Sequence, residues 1–180
     1  MDMKKELLEA LQMKLKADRS VEDISLFTAE ELGAPMDMLR AKIGEFGPDL
    51  INVLGEFFFM PFGDEGILYF TTVITLSTSL PKEAVPDMAA AAARLDYYLP
   101  FGCYALGDND RNLIYRYTAL FNENEEKEKL DASISTAAFG ALSVAEKFMG
   151  YLLLVLKNEI SVEEMVGMLL GTNNSNGSAQ

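Results

Sequence analysis

The 180-residue chain contains no histidine, no tryptophan and a single cysteine, Cys103. Without histidine, Ser-His-Asp and Cys-His catalytic arrangements, HExxH zinc sites and His-bearing zinc fingers are all excluded. One cysteine builds no intrachain disulfide and fits a reducing compartment. Glycine-rich phosphate loops are also missing, since neither GxGxxG nor GxxxxGKS/T occurs. No uninterrupted apolar run reaches the roughly 18 residues that span a bilayer. The longest candidate, residues 148–156, is short and contains Gly150 and Tyr151. The opening Met1-Asp2-Met3-Lys4-Lys5-Glu6 is charged, unlike the apolar segment of a signal peptide. Basic residues are scarce, 15 Lys and Arg against 28 Asp and Glu, for a net charge of −13. A phosphate backbone is bound by clustered cations, so no nucleic-acid partner is expected. Lys4, Lys5, Lys14 and Lys16 in the first helix are offset by Glu6 and Glu9, so no membrane-surface role is expected either. These absences predict a soluble, acidic, cytoplasmic protein.

Apolar residues are plentiful, at 49% of the chain. A chain of this length folds as one domain and buries about 70% of its unfolded surface without a metal or disulfide. Leu8, Leu11 and Leu15 at helical spacing, with charges between them, predict an amphipathic helix over residues 4–16. Ser20 and the capping box Thr28-Ala29-Glu30-Glu31 predict short helical turns over residues 20–32, stopped by Gly33 and Pro35. Residues 36–43 form a first strand, expected at an edge because of Asp37, Arg40 and Lys42. Gly47-Pro48-Asp49 marks a turn, and residues 50–60 and 67–78, rich in Phe, Tyr, Thr, Val and Ile, form the best strand pair. Pro81 and the alanines at positions 89–93 open and fill a helix that Pro100 ends. A second hairpin joins residues 101–107 and 113–121. A long helix follows with Leu130, Ile134, Ala138, Ala141, Ala145, Phe148, Leu152 and Val155 at steps of three and four. Ser161-Val162-Glu163-Glu164 opens a last short helix.

The predicted fold is therefore α+β, a five-stranded antiparallel sheet with helices packed on it, in the order α-βββ-α-ββ-α plus a short C-terminal helix. Residues 1–35 form an N-terminal helix and connecting segment, residues 36–170 the α+β domain on which they pack, and residues 171–180 a flexible tail rich in Asn, Ser and Gly.

Chemistry-bearing residues have structural explanations. Cys103 in a strand reads as a small apolar residue, because a reactive thiol needs an electropositive setting. Asp108-Asn109-Asp110 begins like a calcium loop, but Leu113 and Ala119 stand where that loop requires Gly and Glu; the run reads as a hairpin turn. Glu56, between Gly55 and Phe57 in an apolar strand, either acts as an acid with a raised pKa or has a structural role, at a sheet edge or paired with a neighbouring Arg, and the structural role is favoured. Glu123, Glu125, Glu126 and Glu128 form a solvated helix start. Tyr97, Tyr98, Tyr115 and Tyr117 lack the interleaved basic residues of a base-stacking surface. No catalytic residue, cofactor site or metal site is assigned, and no enzyme activity is expected.

The informative feature is surplus apolarity. With Ile51, Val53, Phe57 and Phe59 facing the helices, alternation places Leu54, Phe58 and Met60 on the other face. In the next strand Tyr69 and Val73 oppose Leu68, Phe70, Ile74 and Leu76 in the same way. A lone antiparallel sheet shows polar alternation on its open face, so an apolar one marks an interface. Leu54, Phe58, Met60, Tyr69 and Val73 are the expected partner-binding residues, for an unknown protein partner or a homodimer. The alternative is a small-molecule sensor or enzyme with an apolar pocket between sheet and long helix.

Residues 67–80 leading into the Pro81 helix, then Leu95-Asp96-Tyr97-Tyr98-Leu99-Pro100-Phe101-Gly102-Cys103-Tyr104-Ala105-Leu106 and the strand at 113–121, resemble the YbjN group of bacterial sensory transduction regulators. The order of elements over residues 36–156 is similar to that of the type III secretion chaperones, whose fold this group shares. The helix after Ser161 departs from the minimal pattern. The resemblance implies a small acidic cytoplasmic protein, often a homodimer, that binds other polypeptides and carries no catalytic residues.

Overall fold

A computed structural model describes residues 2–18, 20–63, 65–107 and 111–171. Among these residues, six strands and five α-helices follow the order α1 (Met3–Lys16), β1 (Val21–Phe27), α2 (Ala29–Leu32), β2 (Met38–Phe46), β3 (Ile51–Phe59), β4 (Ile67–Ser77), α3 (Val85–Asp96), β5 (Cys103–Leu106), β6 (Leu113–Asn122), α4 (Lys127–Leu156), α5 (Val162–Leu169). The class is α+β, with one antiparallel sheet in the order β1-β2-β3-β4-β6-β5. After β4 the chain crosses through α3 to reach the far edge as β5, and β6 returns between the two.

The sheet has six strands rather than the expected five. Residues 21–27, expected as helical turns, form β1 and pair with β2, so β2 is interior and β1 takes the edge. Glu22 and Asp23 blunt that edge with charge, and Glu22 pairs with Lys42 across it. The Thr28 capping box is present as expected: Thr28 N donates to Glu31 Oε2 (2.8 Å), Glu31 N donates to Thr28 Oγ1 (3.3 Å), and Gly33 closes the turn at φ 59°. Ser161 and Glu164 make the same reciprocal pair at α5. Of the expected tail, residues 172–180 lie outside the described residues.

One core lies between the sheet and the helices. Leu39, Phe57, Phe70, Ile74 and Tyr115 enter it from the strands, and Leu7, Leu8, Leu11 and Leu15 of α1 meet them. Each such leucine contributes about 1.5–3 kcal/mol on burial, well above what an isolated 14-residue helix gains from propensity. In α4 the stripe Ile134, Ala138, Ala141, Ala145, Met149, Leu152 is fully or almost fully buried. The alanines let its backbone approach β4 and β6, where Thr72 and Ala119 are also buried. α4 is long and apolar enough, over an 18-residue window of mean hydropathy 1.6, to meet a length-and-composition criterion for crossing a membrane. Counting uninterrupted apolar residues had not revealed this. The exposed positions of its second half are Ser143, Glu146 and Lys147, and none of its large apolar side chains is exposed.

The α3–β5 corner is pinned from three sides. Asp96 Oδ1 accepts from Tyr104 N (2.7 Å), Tyr115 Oη donates to the Phe101 carbonyl (2.9 Å), and Tyr104 Oη donates to the Ala145 carbonyl of α4 (2.6 Å). The Tyr104 and Tyr115 rings meet edge to face at 5.2 Å, and Phe101 lies 4.7 Å from the Tyr117 ring. A Cβ added at Gly140 of α4 would meet Phe101 Cζ at 3.4 Å, an ordinary contact, so the ring lies directly against α4 there.

Candidate binding face

Strand pairing carries side chains of one parity to the helices and the other parity to the opposite face. Residues paired across the sheet therefore form rows on that opposite face. One row runs Arg40, Glu56, Val73, Arg116 and Cys103 over β2, β3, β4, β6 and β5. On either side of it lie Lys42, Leu54, Thr75, Ile114 and Ala105, and Met38, Phe58, Thr71 and Thr118. Met60 N donates to the Tyr69 carbonyl (2.9 Å), and Tyr69 pairs with Leu120 in the last row.

All five residues expected to share a face, Leu54, Phe58, Met60, Tyr69 and Val73, are brought together here. None belongs to the buried core or packs against it, whereas Phe57 and Phe59 do. The buried apolar residues of α1, α3, α4 and α5 all belong to the core on the other side of the sheet. Leu54 and Leu120 are exposed (38% and 59%), yet Phe58 is only 9% exposed and Thr71, beside it in register, is fully buried. Thr71 and Thr118 share a hydroxyl hydrogen bond of 3.0 Å between them. The loop after β3 folds back so that a Cβ at Gly63 would meet the Tyr69 ring at 2.9 Å.

Sequence reasoning missed Ile114, Arg116 and Leu120. The signal was the alternation of β6 itself: Leu113, Tyr115 and Ala119 are buried, and their neighbours of opposite parity join Leu54 and Val73.

Electrostatically the face differs from the rest of the molecule. Arg40 Nε donates to Glu56 Oε1 at 2.9 Å, so Glu56 is held by a cross-strand pair rather than aimed into an acid site. The Arg40 guanidinium also sits 5.6 Å from the Phe27 ring. Arg116, in the same row, is exposed and has no ion-pair partner among the described residues. Cys103 ends the row. Burial pushes its thiol pKa up, the Asp96 carboxylate pushes it further, and Arg116 opposes both. A thiol held protonated is a poorer nucleophile than a free one.

Asp96 is half-buried. Burial raises its pKa, and the hydrogen bond from Tyr104 N only partly opposes this. An acid whose folded pKa lies above its unfolded value stabilises the fold most below the unfolded pKa, and that contribution is lost as pH rises through the folded one. Asp96→Asn keeps an oxygen for Tyr104 N and removes the charge. The expected result is a higher melting temperature than wild type at pH 7, with the difference vanishing below the ordinary Asp range. A thermal-melt series from pH 7 to pH 3 checks it; a difference of the opposite sign at pH 7 would refute it.

Other expected chemistry is not assembled. Among the described residues no three His, Cys, Asp or Glu side chains are grouped to hold a metal. Asp108, Asn109 and Asp110 lie outside the described residues. The layer between sheet and α4 is filled by Thr72, Ile74, Ala138, Ala141 and Ala145, all fully buried. A cleft of about 480 Å³ lies instead on the outer side of α4, against Pro48, Tyr151, Leu154 and Met168. No family model, no curated protein and no solved structure matches the chain.

Proposed function

We propose that this chain is a non-enzymatic, cytoplasmic protein-binding domain, adaptor- or chaperone-like, that works through the open face of its sheet. The observation that carries the reading is the pair Leu54 and Leu120, large apolar side chains exposed on the sheet face away from the core. An antiparallel sheet that needed only water on this side would alternate to polar residues. The resemblance to the secretion chaperones supports the same reading. The filled layer beneath α4 weighs against the alternative of an internal small-molecule pocket.

The test compares tagged wild type with Leu54→Asp and with Met13→Asp, a control on the exposed side of α1 (70% exposed). A buried charge at the interface is expected to weaken capture of polypeptides from the native cell about tenfold or more, equivalent to ~1.4 kcal/mol. The Met13 variant retains wild-type capture. Unchanged capture by folded Leu54→Asp would remove the open face from the function.

A further inference from the structure

We propose that the cleft on the outer side of α4 is a binding site for a single-chain amphiphile, an alkyl chain ending in one anionic head such as a carboxylate. The cleft measures about 480 Å³, inside the roughly 300–1,000 Å³ range of small-ligand sites. Tyr151 and Leu154 of α4, Met168 of α5 and Pro48 of the turn between β2 and β3 give it an apolar lining. These elements are distant in sequence, and the cleft exists because the turn is fastened to α4. Gly47 N donates to Glu146 Oε1 (3.3 Å), and Asp49 Oδ2 pairs with Lys157 Nζ (2.6 Å). Between them Pro48 lies against Gly150, where a Cβ would meet its Cγ at 3.3 Å. Leu50, which ends the turn, sits at φ 51°, a left-handed conformation that a leucine keeps only where surrounding contacts hold it. On the other side α5 is held by the fully buried Met165 and by its Ser161–Glu164 capping box. The walls stand before a ligand arrives, so binding costs little ordering of the protein.

Charge gives the occupant its direction. The charged side chains of the lining are Asp49, Lys147, Lys157 and Glu159. Lys157 and Asp49 neutralise each other in the fastening of the turn. Glu159 lies past the end of α4, twelve positions beyond Lys147. Lys147 is therefore the cation left for a ligand. It is exposed, has no carboxylate partner among the described residues, and holds its ammonium 5.5 Å from the centre of the Phe148 ring. Lys147 and Tyr151 stand four positions apart on one side of α4, so the cation adjoins the apolar lining. The distance along the helix from Lys147 to Leu154 is about 10 Å at 1.5 Å per residue. A carboxylate at Lys147 lays its chain over Tyr151 towards Leu154 and Met168 and stops short of Glu159. A free amphiphile suits this setting better than one packed in a bilayer. The site is recessed between three elements, and a net charge of −13 repels an anionic membrane surface.

The experiment titrates the full chain calorimetrically with decanoate, below the concentration at which it forms micelles. Saturable one-to-one binding is expected, with a Kd on the order of 0.1 mM or tighter. Lys147→Gln is expected to weaken decanoate about fivefold or more while leaving 1-decanol, which has the chain without the charge, unchanged. Met168→Asp alters an already exposed side chain (40%) and weakens both compounds about tenfold or more. Leu54→Asp, on the sheet face, binds decanoate like wild type, so failure of this site and failure of the sheet face are read separately. Circular dichroism melts confirm that the variants fold; if Met168→Asp does not, Lys147→Gln with the decanoate and decanol pair decides the matter. No saturable binding of decanoate, or binding that folded Lys147→Gln leaves unchanged, overturns the site. Decylamine binding more tightly than decanoate overturns the assignment of the head to Lys147. Co-sedimentation with phosphatidylglycerol or phosphatidylcholine vesicles is expected to be absent, and vesicle binding that Met168→Asp abolishes would replace the free amphiphile with a lipid surface.

Discussion

Gly102→Ala is expected to lower the melting temperature by about 10 °C. Gly102 sits at φ 72°, and a Cβ built there would collide with the Oη and Cζ of Tyr115 and lie 2.9 Å from its Cε2. The left-handed conformation alone costs an alanine about 1–2 kcal/mol. The collision adds a second term, since Tyr115 is fully buried and its hydroxyl is already committed to the Phe101 carbonyl. Moving the ring breaks that hydrogen bond, worth ~1 kcal/mol, and disturbs its contact with Tyr104, which in turn holds α4 at Ala145. A total of about 3 kcal/mol corresponds to this shift at 2–4 °C per kcal/mol for a domain of this size. Removing the hydroxyl with Tyr115→Phe relieves the closest overlap, so Gly102→Ala costs less in that background. Thermal melts of the four proteins of this cycle check both statements. A shift under about 2 °C for the single variant would mean the corner is not held in this geometry.

Local signals were legible wherever the physics is local. Both capping boxes were readable because their two reciprocal hydrogen bonds span only three residues. The common face of Leu54, Phe58, Met60, Tyr69 and Val73 follows from strand alternation once β3 and β4 are recognised as strands. β1 was hidden because Ser20, Glu22 and Asp23 imitate the start of a helix, and because an irregularity between Val21 and Asp23 breaks the alternation. What makes 21–27 a strand is its pairing with β2, a non-local contact. The relation between Glu56 and Arg116 was hidden for a deeper reason. They lie in separate hairpins, and only the insertion of β6 between β4 and β5 puts them symmetrically about β4. Gly102 was visible as part of a Pro-marked corner, but the demand for glycine comes from a tyrosine 13 positions on, which no local rule connects to it.

Adjacent phenylalanines give the sharpest test of the two-faced sheet. Phe57 is fully buried, in the row of Leu39 and Thr72, and its ring covers Gly55, where a Cβ would meet Phe57 Cε2 at 3.1 Å. Phe57→Ala opens a closed cavity beneath the helices, and such truncations cost about 3–5 kcal/mol. The expected fall in melting temperature is roughly 10–15 °C at 2–4 °C per kcal/mol. Phe58 is nearly as hidden, at 9% exposure, and Thr71 beside it on the same face is fully buried, but neither belongs to the core cluster under the helices. Because Phe58 stands outside that cluster, the transfer term is expected to dominate its truncation, at about 1.5–3 kcal/mol. Stability measured by urea melts should therefore separate the two variants by about 2 kcal/mol. Their effects on association should run the other way. Phe58→Ala removes a ring from the proposed binding face and is expected to weaken capture of polypeptides, whereas Phe57→Ala, folded at low temperature, leaves capture intact. Equal losses of stability would show that the face bearing Phe58 is as closed as the core.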